Sequence, residues 1–110
     1  MRKTVNKGVD FLMTMPGFIK ELEKRDSKLY EIASSLAEEA MKPGALDAKT
    51  KLLIAMALDA LVGADEGVKV LSKAARGQGA TEEEIAEALR IAYYVAGNTV
   101  LSSADSAYQD

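Results

Sequence analysis

Cysteine and histidine are both absent from this chain of 110 residues. Their absence excludes thiol redox chemistry, Cys–His and Ser–His nucleophile pairs, and the usual zinc, haem and iron–sulfur ligands. A carboxylate-only magnesium or manganese site stays chemically open. No acidic cluster is dense enough to suggest one, so neither a metal nor a cofactor is expected. Tryptophan is missing and aromatics make up only 5%, so Leu, Ile, Val, Met and Ala must build the core. That balance favours closely packed helices, because Ala is the best helix former and a poor strand residue.

There is no basic stripe either. The net charge is −3 with both signs interspersed, which argues against a nucleic-acid partner. The longest apolar run, Leu52 to Val62, is broken only by Asp59 and is about half the length that spans a bilayer. In MRKTVNKGVDFLMTMPGF, Asp10 interrupts the apolar part and no small-residue cleavage site follows. The expectation is one soluble, cytoplasmic domain over residues 1–110, with no membrane association.

What is present is helical periodicity. Val9, Leu12, Met13, Phe18, Ile19 and Leu22 are spaced for a helix, and Pro16 suits a first turn, so a helix is predicted from about Pro16 to Arg25. Asp26 or Ser27 caps the next, in which Leu29, Ile32, Ala33, Leu36 and Ala40 form an apolar stripe and Glu31, Glu38 and Glu39 face water. Pro43–Gly44 ends it. Asp47 then caps DAKTKLLIAMALDALV, a helix apolar nearly all round that must be buried on nearly all sides. A single small domain has trouble surrounding it, which predicts an oligomer.

Beyond Gly63 a helix is predicted over about 64–76, with Gly77 as a left-handed C-terminal cap. Thr81 and Glu84 make a capping box, and Ile85, Ala88, Leu89, Ala92 and Val95 supply the following apolar face. Gly97–Asn98 is expected to break that helix before a short final one in VLSSADSAY. Met13, Met15 and Met56 are most simply gap fillers. The pattern is all-α.

The ordered motifs GALDAKTKLLIAMALDALVG and GQGATEEEIAEALRIAYYVAGN, with KLYE at 28–31, resemble the carboxymuconolactone decarboxylase and alkylhydroperoxidase D-like (AhpD-like) family over about residues 20–100. The resemblance implies an AhpD-like helical domain that forms homo-trimers or homo-hexamers. It also implies peroxidase (peroxiredoxin-type) or decarboxylase activity. In the redox branch the segment after the apolar helix typically runs G-C-x-x-C-x-x-x-H, with a Glu upstream. Laid on this chain, Ala64 and Gly67 stand at the two Cys, Leu71 at the His and Leu52 at the Glu. All four relay groups are missing, and Leu71 also removes the His that the decarboxylase branch usually keeps. Independently, Ala64, Val68, Leu71 and Ala75 fall at i, i+4, i+7 and i+11, an apolar packing stripe bordered by Gly67.

The remaining catalytic candidates are Asp59, Asp65, Glu66 and Tyr94. Asp65 and Glu66 read as an acid/base pair or, more simply, as favourable charge in a first helical turn, with Asp65–Lys69–Lys73 as a solvated ion-pair ladder. Asp59 inside the apolar helix is either a general base or a structural carboxylate with a partner. One of Tyr93 and Tyr94 could line a pocket while the other packs. Two functions follow. One is a non-redox descendant, a small-molecule binder or structural homo-oligomer. The alternative is a cofactor-free decarboxylase, isomerase or hydrolase of small carboxylated or lactone substrates.

Overall fold

The computed structural model describes residues 17–110. The spacing of Val9, Leu12 and Met13 and the roles of Met13 and Met15 lie outside them. Five helices follow in order: α1 (Gly17–Arg25), α2 (Ser27–Met41), α3 (Ala48–Leu61), α4 (Asp65–Gly77) and α5 (Glu82–Ala104). A 3₁₀ turn, Asp105–Tyr108, closes the chain, and no strand occurs among the described residues.

The starts of the helices follow from local chemistry. The Asp26 carboxylate accepts from the Leu29 N–H at 3.0 Å, and Asp47 accepts from the Thr50 N–H at 2.8 Å. At α5 the capping box is reciprocal: the Glu84 N–H donates to Thr81 Oγ1 at 3.0 Å, and the Thr81 N–H donates to Glu84 Oε1 at 2.9 Å.

Two ends differ from expectation. Gly77 is the last residue of α4, and the left-handed φ of +94° belongs to Gly79. There the Ala80 N–H reaches back to the Ala75 carbonyl and the Gly79 N–H to Arg76, a Schellman closure that only a reversal at 79 permits. Gly97–Asn98 does not break α5, which continues to Ala104. A mid-helix glycine costs only about 1 kcal/mol. The segment VLSSADSAY is therefore the end of α5 plus the 3₁₀ turn.

The core lies among α3, α4 and α5. Leu52 and Met56 are fully buried against Leu71, Ala75, Ala80 and Ile85. The all-round burial expected of α3 is not met within one chain, because Ile54 and Leu58 on its other side are exposed. The α2 stripe differs in the same way. Tyr30, Ala33, Ser34 and Ala37 are half-buried, whereas Ile32 and Leu36 are 59% and 67% exposed. Amphipathicity set the face of α2, and none of the described residues covers it. Helices α1 and α2 form a hairpin that meets α3 mainly at its own end. There Lys51 Nζ donates to the Ala40 and Lys42 carbonyls at 2.9 and 2.6 Å, satisfying the last turn of α2.

Candidate functional site

The turn between α3 and α4 folds α4 back along α3, so that Leu71 packs against Leu52. At the end of α3 the Ala64 N–H reaches back to the Asp59 carbonyl at 2.8 Å, and the Gly63 N–H to Ala60 at 3.2 Å. Gly63, at φ +78°, supplies the left-handed residue this second Schellman closure needs. Ala64 then occupies the cap position of α4 without any side-chain acceptor to offer. Ala64, Gly67 and Leu71 follow at i, i+3 and i+7, so one face of α4 carries all three. Leu52 and Leu71 pack in the same apolar cluster. Two of the positions at which the resemblance places relay groups, Leu52 and Leu71, are core hydrocarbon in this chain.

The polar candidates do not converge. Asp65 and Glu66 sit in the first turn of α4 and are exposed, and Tyr94 on α5 is 67% exposed. Tyr93 is exposed as well. The expected Asp65–Lys69 pair does not form. The ion pairs among the described residues are Lys42–Glu39, Lys49–Glu84, Arg76–Glu82 and Arg90–Glu83.

Asp59 is the exception. It is half-buried, and its carboxylate makes no ion pair or side-chain hydrogen bond among the described residues. It lies directly against Gly67: a Cβ built there would sit 2.8 Å from Asp59 Cγ and closer still to Oδ2. The carboxylate thus fills the space that the resemblance gives to the second thiol.

On the opposite side of α3 from Leu52 and Met56, a cleft of about 420 Å³ runs between α3 and α5. Its floor is made of Leu53, Ala57, Ala88 and Ala92, where the alanines leave room. Its lips are Ile54 and Leu58 on one side and Ile91 and Val95 on the other, all exposed. One end is polar and carries Thr50, Glu84 and Glu87. Lys49 Nζ bridges the two helices there, 3.0 Å from Glu84 Oε2. Glu84 is held below the usual carboxylate range, first by the Thr81 N–H and then by Lys49. Glu87 is exposed and makes no ion pair among the described residues.

This cleft was not singled out in the sequence. Its signal was the second apolar face of α3, which predicted a covering surface without saying that a trough would lie beneath it. No group of three or more acidic, His or Cys residues among the described residues could hold a metal ion. No described helix is long and apolar enough to cross a membrane.

Comparison with known proteins gives three matches. The profile of the carboxymuconolactone decarboxylase family matches residues 27–110, beginning at the first residue of α2. An uncharacterized protein of Methanocaldococcus jannaschii is 32% identical over 79 residues, covering 72% of this chain and 74% of that protein. The apo crystal structure of a carboxymuconolactone decarboxylase family protein from Legionella pneumophila superposes with a TM-score of 0.65 at 36% identity. That match covers 86% of this chain and 88% of the other.

Proposed function

The chain belongs to the carboxymuconolactone decarboxylase family, and on that premise we propose that it is a member without the peroxide-reducing relay. In this reading it is a homo-oligomer, a trimer or hexamer, that binds a small apolar molecule in the cleft between α3 and α5. The observation that carries the reading is the fate of the relay positions: Leu52 and Leu71 are core residues, and no thiol or imidazole exists anywhere in the chain to replace them. A cleft with an apolar floor and a few polar groups at one end has the composition of a small-molecule site.

The test has two arms. Pure protein supplied with a dithiol and an organic hydroperoxide should give no turnover above a heat-killed control; turnover above it would sink the non-redox reading. A thermal-shift screen against lactones, aromatic acids and quinones should find a ligand that raises the Tm, because binding to the native state stabilises by mass action.

A second reading rests on Asp59, whose carboxylate lies against Gly67 without an ion-pair partner among the described residues and acts in this reading as an acid/base group toward a lactone or small carboxylated substrate. Any such turnover should be lost in Asp59→Asn. Turnover that survives the change would remove Asp59 from the mechanism.

A further inference from the structure

The cleft between α3 and α5 is long, narrow and charged at one end only. From the Lys49–Glu84 joint its lining reaches from Thr50 to Leu61 on α3 and from Glu84 to Val95 on α5. Each stretch is about 16 Å long at about 1.5 Å per residue. Spread over that length, about 420 Å³ leaves a mean cross-section of about 25 Å². A trough about 5 Å wide suits a polymethylene chain, whose carbons stand about 3.5–4.0 Å from their neighbours. A compact ring compound would leave much of the length empty. An extended chain advances about 1.25 Å for each C–C bond of about 1.5 Å, so about twelve to fourteen carbons fill the trough.

The polar end decides the head group. Lys49 is committed to Glu84 at 3.0 Å, which leaves the exposed Glu87 carboxylate in excess and without an ion pair among the described residues. Thr50 adds a hydroxyl beside it. The N-termini of α3 and α5 lie at this end too, and helix N-termini favour anions. Their first turns already hold the oxygens of Asp47 and Thr81, so the surplus charge that a ligand meets is that of Glu87. Beyond Glu87 the lining carries no charged side chain, and Leu61 and Val95 form the far end.

We propose that the cleft takes a single-chain aliphatic amine of about twelve to fourteen carbons, its ammonium at Glu87 and its tail running to Leu61 and Val95. The inference rests on the ligand-binding reading above and narrows it to one class of amphiphile. A fatty acid of equal length fits the trough but sets its carboxylate against Glu87. A long-chain alcohol fits it without gaining the charge.

The experiment titrates the full chain calorimetrically with primary alkylamines from octylamine to hexadecylamine, each below its micelle concentration. Affinity should rise about two- to fourfold per methylene and level off near tetradecylamine, where the tail reaches the end of the trough. Dodecanoate should bind about tenfold more weakly than dodecylamine, with dodecanol between them. Glu87→Gln should weaken dodecylamine about three- to fivefold and leave dodecanol unchanged. Glu87→Lys should make dodecanoate the better ligand. Glu38→Gln removes an exposed carboxylate on α2 and should change nothing, which controls for loose attraction to an acidic chain. Ala88→Leu fills the floor and should weaken dodecylamine and dodecanol alike. Ile91→Gln, at an exposed lip, should do the same and keeps the test intact if Ala88→Leu disturbs folding.

Affinity indifferent to chain length, or equal for amine and carboxylate, overturns the proposal. So does a Glu87→Gln protein that binds dodecylamine as the wild type does. The broader ligand-binding reading outlives that result when a quinone or aromatic acid binds and Ala88→Leu or Ile91→Gln weakens it. It falls together with the proposal when neither variant weakens any of these compounds.

Discussion

Gly67 yields its side-chain space to the carboxylate of Asp59. The two residues sit on different helices, joined by the closure at Gly63, and a side chain at 67 would collide with one already there. Gly67→Ala removes backbone freedom from the unfolded chain, a gain of about 0.4–1 kcal/mol where nothing obstructs. Here Asp59 must rotate away. In an Asp59→Ala background only the Cβ remains, 3.5 Å from the new methyl, an ordinary contact. The four proteins of this cycle, measured by urea unfolding, should show a coupling of about 0.5–1.5 kcal/mol. Additive effects would mean that the two residues do not share space in solution.

Leu52 has no exposed surface, so Leu52→Ala should cost about 2–5 kcal/mol. Leu52→Glu restores the residue type that the family resemblance places there. It also sets a carboxylate among Met56, Leu71, Ala75 and Ile85, with no partner. That variant should be the less stable of the two, and unfolded if the chain has the usual small margin. A Leu52→Glu protein as stable as wild type would show that water reaches position 52.

The Thr81–Glu84 box satisfies two backbone donors at the start of α5. Thr81→Ala should lower stability by about 1 kcal/mol, read as a shift in the denaturant midpoint at unchanged slope. Glu82→Gln breaks only the exposed pair with Arg76 and should have the smaller effect. The reverse order would contradict the assignment of the helix start to the box.

Acid should destabilise the protein late and neutrality should leave it level. Asp47, Glu82 and Glu84 are all held below the usual carboxylate range. For Asp47 the main cause is the Thr50 side chain, for Glu82 Arg76, and for Glu84 the Thr81 N–H. Unfolded, such groups titrate near pH 3.9–4.3. Because their folded values are lower, the stability they contribute is complete above about pH 5.5 and is lost as pH falls through the unfolded and then the folded values. With no histidine, no side chain of ordinary pKa titrates between pH 5 and 8. A Tm that moved by many degrees across that interval would contradict this account.

The parts of the fold that local chemistry decides were legible in the sequence. Asp26, Asp47 and Thr81–Glu84 cap the helices they were expected to cap. The Ala64–Val68–Leu71–Ala75 stripe packs inward, half-buried at its start and buried at Leu71 and Ala75. What was not legible depended on weak or distant terms. Gly77 and Gly79 are equally permissive, and the backbone bonds from Gly79 and Ala80 to Arg76 and Ala75 close the helix at the second. Gly97–Asn98 is a small penalty that a long helix absorbs. For the candidate site, the family resemblance pointed to Leu52, Ala64, Gly67 and Leu71, but the Asp59–Gly67 contact was not legible. It needs the turn at Gly63 to swing α4 back onto α3.

The joint at Lys51 also bears on how the chain comes into being. Synthesis runs from the N-terminus at about 5–20 residues per second, so α2 precedes the end of α5 by roughly 3–12 s. Throughout that interval the hairpin is finished, yet the helices that form the main core are still being made. Completing them does not shelter Ile32 and Leu36, which stay exposed in the folded chain. Glu31, Glu38 and Glu39 keep the young helix hydrated meanwhile. For a nascent chain, Ile32 and Leu36 are exposed apolar surface of the kind that chaperones shield.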